Sequence, residues 1–513
     1  MKKITKYYQL IQSLSSSEWQ MLANYLTCFS SNRQAQGKIL KLAKSLRDSK
    51  DALPPLMYSI ELYGEENLNA LKQLVVRLKN RILDVLSSDI VNSNEENSND
   101  EADVALIRLR RKCTHYQLLL HTKPEIRLKD DLLEEIIALA KEYEDYSILI
   151  HHLHMKKWQC QIRSEKKQYE KIKMQIEQYE KVRIAVITAC DYIYELKEIE
   201  ETSGKRNKNK IESFFNKAIP HLQYLYTKTL STYVLYYLRS LEISRLLFTE
   251  KFRMAENKTR KLLTIIKKNK SIYKKQRLGI AYDILAICEL NMGNFSKALA
   301  HSRVSVKNFP VGHYNYAISK QYEFYSLFYG KLYVEAAKCV TELMRHVNQR
   351  SVGDFRFEKF NFMRACSKFM LGNFTEVLSI ISFKAKIKAD KEGWEFSRRL
   401  LEILTNLELG KADQASSLIS SLYHFMHDNK NSALFSSRQK IITRTLFQFE
   451  KQGFDFSSLS SKIYAMLEKL EGIDKEYGWQ VLSSELIPFH KWMLEKMLPK
   501  KNYAARHLIT VEQ

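Results

Sequence analysis

The chain has 513 residues, 45% of them hydrophobic, with only 14 glycines and 7 prolines, which is enough for a large core but too few turn residues for an all-β protein of this length. Its formal net charge of +24 exceeds what a solvated helical scaffold needs and favours an anionic partner such as nucleic acid, a ribosome or an acidic protein. Seven scattered cysteines without C-x-x-C spacing read as reduced core residues, and with no apolar leader or membrane-length apolar run the expectation is a cytoplasmic protein that does not insert in a membrane.

Residues 1–91 read as a compact N-terminal helical unit. Tyr8, Ile11 and Leu14, then Trp19, Leu22, Tyr25 and Leu26, recur at helical spacing. Ser15, Ser16 and Ser17 offer N-caps just ahead of Glu18, and Leu71, Leu74, Val75, Leu78, Ile82 and Val85 form the stripe of a longer helix. The polar, acidic run from Asn92 to Glu101 has nothing to bury, so 92–103 reads as a flexible linker. A long-helix region, 104–240, follows. Neither glycine nor proline lies between Pro124 and Gly204, so the most continuous helix is expected there, with a stripe running Tyr169, Ile172, Ile176, Tyr179, Val182, Val186, Cys190, Ile193, Leu196. A second break falls at Gly204 to Lys210.

Residues 241–430 carry an internal repeat. Gly293-Asn294-Phe295, Gly330-Lys331-Leu332, Gly372-Asn373-Phe374 and Gly410-Lys411-Ala412 each end one helical pattern and begin another, their glycines 37, 42 and 38 residues apart. One helical turn onward stand Ala298, Ala336, Val377 and Ala415, and a weaker copy, Glu250-Lys251-Phe252 with Ala255, precedes them. Such a period marks stacked helix-turn-helix units. In the best copy Tyr282 stands at the family's Trp, Leu285 at its Leu, Ala286 at its Gly, and Ala298 and Pro310 at its Ala and closing Pro, so the segment resembles the tetratricopeptide repeat. Glu289 and Ser302 replace the family's Tyr and second-helix aromatic, the turn at Gly330 needs an extra residue, and the spacing exceeds the usual about 34 residues. The resemblance is to a divergent repeat, over Tyr282 to about His424.

The resemblance implies an all-α fold: a right-handed α-solenoid of tetratricopeptide-like helix-turn-helix repeats, preceded by the small N-terminal helical unit and closed by a C-terminal helical cap over 431–513. It implies a non-enzymatic cytoplasmic scaffold or adaptor holding a protein or peptide in a groove. In register with the repeat turns, Asp283, Ile287, Asn291, Phe362, Cys366 and Phe369 should lie on the concave side. Their apolar members suit a partner helix or the protein's own C-terminal segment folded back.

Signals for chemistry are sparse. The closest glycine pair is Gly472 and Gly478, so no phosphate-cradling loop is present, and there is no G-x-S-x-G elbow. His151 and His154 could share a helix face with Cys160 downstream, and His424 with His427 forms a similar pair, but neither has a second ligand pair at metal spacing. Glu134-Glu135 and Glu200-Glu201 read as solvated helix faces. The reading is therefore no enzyme, no cofactor and no metal. The densest basic stretch, Lys251, Arg253, Lys258, Arg260, Lys261, Lys267, Lys268, Lys270, Lys274, Lys275 and Arg277, holds only Glu256 as an acidic counterweight. It reads either as a solvated face or as a nucleic-acid or ribonucleoprotein surface in which Lys267, Lys268, Lys270, Lys274, Lys275 and Arg277 neutralise phosphates. A third alternative is a peptide-sensing transcriptional regulator with an N-terminal helix-turn-helix. The connection from Cys28 to Arg33 is longer than the tight turn of that motif.

Overall fold

The computed structural model describes residues 8–28, 33–49, 51, 53–92, 102–122, 127–203, 208–347, 352–381, 393–427, 435–472, 474 and 476–497. The protein is all-α, with no strand among the described residues. The chain forms two compact units, 1–152 and 153–513.

In the first unit, α1 (Ser16–Cys28), α2 (Arg33–Asp48) and α3 (Pro55–Tyr63) pack on the spine helix α4 (Leu68–Asn92). The stripe read from the sequence is its buried seam: Leu71, Leu74, Val75, Leu78, Ile82 and Val85 close over Ile11, Leu14, Leu22 and Leu26. Of the three candidate serines, Ser15 is the cap. Its hydroxyl accepts from Glu18 N–H at 3.2 Å while Glu18 Oε2 accepts from Ser15 N–H at 2.6 Å, a reciprocal capping box. Most of the expected linker, 93–101, lies outside the described residues, as do 29–32 in the long connection after α1 and 204–207 at the second break. Then come α5 (Ala102–Thr122), α6 (Leu128–Glu142) and α7 (Tyr146–Ile162), which carries the boundary between the units.

The expected continuous helix before Gly204 is in fact three: α6, α7 and α8 (Lys166–Ser203). The breaks come at Glu144 (φ 53°) and Ser164 (φ 59°), which take the left-handed conformation without being glycine. Each is followed by an N–H that bonds back to a carbonyl five residues earlier, Asp145 to Ala140 and Glu165 to Cys160, both at 2.9 Å. This is a Schellman closure, and it supplies the stop that no glycine or proline announces. At 38 residues, α8 is still the longest described helix.

From α8 the second unit runs through α9 (Lys208–Thr229), α10 (Thr232–Phe248), α11 (Phe252–Lys268), α12 (Lys275–Asn291), α13 (Phe295–Val306), α14 (Tyr314–Tyr329) and α15 (Tyr333–His346). It continues with α16 (Asp354–Met370), α17 (Phe374–Ile381), α18 (Trp394–Glu408), α19 (Ala412–His427), α20 (Ser437–Lys451), α21 (Ser461–Glu471) and α22 (Phe489–Met497). Each helix packs chiefly on those before and after it, the nearest-neighbour stacking of a tetratricopeptide-like solenoid.

One turn geometry generates the repeat. Glu250, Gly293, Lys331, Gly372 and Gly410 all have φ between 57° and 78°. After each, an N–H closes on the carbonyl five residues back at 2.8–2.9 Å. The fifth residue after each left-handed position is Ala255, Ala298, Ala336, Val377 or Ala415, and all five are completely buried where paired helices cross. The extra residue at Gly330 is now explained: Gly330 stays at φ −74° and Lys331 takes the left-handed position, so the motif begins one residue later. A second close approach is at Gly279, where a Cβ would sit 2.5 Å from the Phe309 ring.

Candidate interaction surfaces

The residues expected on a concave face fall into two groups on separate helices. On α12, Asp283 is buried inside the solenoid. Its Oδ2 accepts from Ser319 Oγ at 2.8 Å; Ser319 also lies 2.9 Å from Ser305 Oγ, which donates to the Gly279 carbonyl at 2.8 Å. The other carboxyl oxygen has no partner among the described residues. Burial outweighs these hydroxyls and pushes the Asp283 carboxyl up from 3.8 to about 7. Ile287 is half-buried, and half-buried Asn291 turns its Nδ2 back onto the Ile287 carbonyl at 2.8 Å.

On α16, Phe362, Cys366 and Phe369 are buried. Phe362 meets Trp394 edge-on at 5.8 Å, and Phe369 meets Phe374 at 5.3 Å. What covers Phe362 and Cys366 is the chain itself. Leu486 and Ile487 close over them against Leu400 and Leu404, leaving a cavity of about 10 Å³, room for one water at most and none for a peptide side chain.

That covering segment is clamped. Arg438, buried on α20, donates Nε and Nη2 to the two carboxylate oxygens of Glu485 at 2.6 and 2.9 Å, and Nη1 to the carbonyls of Leu470 and Tyr477 at 2.8 and 2.6 Å. Glu485 also accepts from Phe489 N–H at 2.8 Å. His490, 3.0 Å from Arg438 Nη2, is held down at about 4 by burial first and then by the charges of Arg438 and Lys491. Trp479 stacks edge-on against Tyr329 at 5.4 Å, and Ser397 donates to Ser484 at 3.1 Å. A bidentate buried pair with its remaining donors satisfied is a structural pin.

The basic stretch is spread over α11, a 3₁₀ turn (Lys270–Ile272) and the start of α12. Two of its cations find acids on other helices. Lys258 reaches Glu242 at 2.8 Å, and Arg260 pairs with Glu256 at 2.7 Å and approaches buried Glu289 at 4.0 Å. Arg277 is sandwiched over the Tyr233 and Tyr236 rings at 4.9 and 4.7 Å and donates to the Ile272 carbonyl at 3.0 Å. Lys270, Lys274 and Lys275 make further contacts of their own. Lys267 and Lys268 are exposed in the last turn of α11, where they complement the helix dipole.

Sequence reasoning missed a cleft of roughly 1290 Å³ between the first half of α8 and the end of α9. Lys166, Lys167, Lys171 and Lys181 on α8 and Lys228 on α9 surround it; Met174, Val182, Tyr224 and Leu225 supply its apolar part. The lining acids are Glu170 and Glu177, and Glu170 is 3.8 Å from Lys173, outside the cleft.

His152 is buried, with Nδ1 donating to the Ile148 carbonyl at 2.8 Å and its ring edge-on to Tyr116; burial lowers its pKa. Among the described residues no three His, Cys, Asp or Glu side chains converge as a metal site would require, and the His427 side chain lies outside the described set. No described helix is long and apolar enough to cross a membrane.

No family model matches the sequence, and no curated protein does. Among solved structures, the chain is similar to the crystal structure of a Signal Transduction ATPase with Numerous Domains protein with a tetratricopeptide repeat sensor from Pyrococcus horikoshii, at 13% identity and a TM-score of 0.39. The match covers 83% of this chain and 65% of that one.

Proposed function

We propose that the chain is a non-enzymatic cytoplasmic scaffold that binds a protein or peptide on its helical-repeat surface. The observation that carries this reading is a set of apolar side chains left unused by the packing of the solenoid. Met174, Ile184, Ile187, Tyr194 and Tyr224 are each 46–69% exposed on α8 and α9, and Met174 and Tyr224 line one cleft between those helices, where exposed apolar side chains mark a contact surface more than a solvated one. The groove between repeats is a weaker candidate, because Phe362 and Cys366 lie under the clamped segment. The test is capture by the full chain from extract of its own source cell, with nuclease and about 0.5 M salt. A discrete protein partner retained under both conditions supports the reading; recovery of nucleic acid alone refutes it.

Nucleic-acid binding through the basic stretch is the second reading, favoured by the net charge of +24 and the exposure of Lys267, Lys268 and Lys275. It requires that reversing Lys267, Lys268, Lys274 and Lys275 to Glu abolish association, and that association weaken steeply with salt. Capture that survives both removes it.

A further inference from the structure

The lysines around the α8–α9 cleft differ from those of the basic stretch in one respect. Among the described residues, Lys166, Lys167, Lys171 and Lys181 have no acidic partner within ion-pair distance, and Lys228 contacts only the Tyr224 ring, 5.7 Å from its centroid. Five cations thus face an open cleft whose own acids are two, one of them 3.8 Å from a lysine outside it. Unneutralised like charges gathered on one concavity repel one another, and an anionic occupant relieves that repulsion.

The apolar part decides between occupants. Met174 is 69% exposed and Tyr224 58% exposed, and they stand over buried Val182 and half-buried Leu225. A duplex phosphate backbone would be served by the lysines alone, and a single strand would need a row of aromatic rings on which to stack its bases, whereas the lining offers one, Tyr224, beside aliphatic Met174, Val182 and Leu225. A thioether and a phenol ring are adaptable, amphipathic contacts of the kind protein interfaces favour, and the lysine stems extend the apolar area while their ammonium groups ring it. From Lys166 to Lys181 the cleft wall runs roughly 22 Å at the α-helical rise, about the length of four helical turns of an occupant.

We propose that this cleft docks an acidic amphipathic segment of a partner protein, its apolar face on Met174, Val182, Tyr224 and Leu225 and its flanking carboxylates on Lys167, Lys171, Lys181 and Lys228. The proposal rests on the scaffold reading and assigns it a surface.

The experiment uses the full chain and a fluorescein-labelled synthetic peptide of about 18 residues, with Leu at helical spacing and Glu elsewhere; a scramble of the same composition and a labelled oligothymidine serve as controls. Fluorescence anisotropy should show saturable binding of the patterned peptide and at least roughly tenfold weaker binding of the scramble. The Lys171→Glu, Lys181→Glu double variant should lose at least about tenfold in affinity and Tyr224→Ser several-fold, with circular dichroism unchanged because these side chains are exposed. Absence of saturable binding, equal binding of the scramble, or full affinity in both variants would overturn the proposal. So would oligothymidine displacing the peptide from the parent. Repeating the cell-extract capture with the double variant separates the two claims: a partner still captured removes the cleft and leaves the scaffold standing, whereas no partner captured by the parent removes the scaffold reading itself.

Discussion

Asp283 gives a prediction with a definite sign and size. Inside the solenoid one carboxyl oxygen has a single hydroxyl donor and the other has none, so the ion is poorly compensated and the neutral acid is preferred. The neutral form also completes a donor chain: Asp283 O–H could donate to Ser319, and Ser305 already donates to the Gly279 carbonyl. A folded-state value of about 7 against 3.8 unfolded means that below pH 3.8 both states are protonated and nothing is lost. Between the two values only the unfolded chain has released its proton, so stability falls as pH rises, and above 7 the loss is complete at about 4 kcal/mol. Asp283→Asn keeps the shape and removes the titration. Urea unfolding of parent and variant, followed by far-ultraviolet circular dichroism, should therefore show the variant gaining on the parent by about 1.5 kcal/mol at pH 5 and about 4 kcal/mol by pH 8, on top of a constant offset. Taking the difference at each pH cancels every other titrating group. A difference that does not change with pH would refute the assignment of a neutral buried acid.

Three further predictions concern the packing. Ala298→Lys places a long cation where two helices cross with no exposed surface, and thermal and urea unfolding should register a loss of about 3 kcal/mol or more. Gly279→Ala drives a Cβ to 2.5 Å from the Phe309 ring, a loss of about 1–3 kcal/mol that Phe309→Leu should partly restore; an additive double variant would show that the two sites do not meet. Arg438→Met strands Glu485 as a buried unpaired carboxylate and should cost about 3–5 kcal/mol while making the 477–490 segment the first site of limited proteolysis, with Glu485→Leu in the same chain recovering most of both. Unchanged protease resistance in Arg438→Met would mean that the pin does not hold the segment.

Features encoded within one or two turns were readable from the sequence, and those encoded between distant helices were not. Three serines were expected as N-cap candidates, and Ser15, three residues before Glu18, is the one that caps, in a reciprocal box with it. Ala298 and Ala415 stand five residues after the glycines of their turns and Ala336 six after Gly330, close enough to a constant spacing for the repeat to be found without any contact being known. Glu144 and Ser164 stop helices as effectively as Gly293 does, but glycine is the residue that announces a left-handed position and these two are not glycine. Lys331 hid the same geometry beside a glycine that does not use it. Arg438 and Glu485 are 47 residues apart, and nothing local to either says that they meet. Asp283 was expected on an open face; its neighbours Ser305 and Ser319, which bury it, come from the next two helices.

The positive charge shows the same limit most sharply. Counted along the chain, 251–277 is the anomalous stretch because it contains a single acid, yet Glu242 and Glu289, from the helices on either side, take up part of its charge. Lys166 to Lys181 looks ordinary by that count, since glutamates alternate with the lysines. The helix separates them in part. Glu180 meets Arg183 away from the cleft and Glu170, on its wall, meets Lys173 outside it, while Lys167, Lys171 and Lys181 share the cleft with Lys228 on α9 and with Glu177. An interaction surface depends on which charges remain unpaired after folding, so the balanced segment is the better candidate and the conspicuous one is partly satisfied. The two sets of lysines can be told apart directly. Reversing Lys171 and Lys181 should change partner binding with little effect on melting, because neither gives up an ion pair. Lys258→Gln should lower the melting temperature and Glu242→Gln should lower it further, because Glu242 also pairs with Arg239 at 2.8 Å, with a Lys258–Glu242 coupling of a few tenths to about 1 kcal/mol in the double-mutant cycle. If Lys171 and Lys181 instead prove coupled to Glu177 at that level, the cleft is internally neutralised and has no need of an acidic occupant.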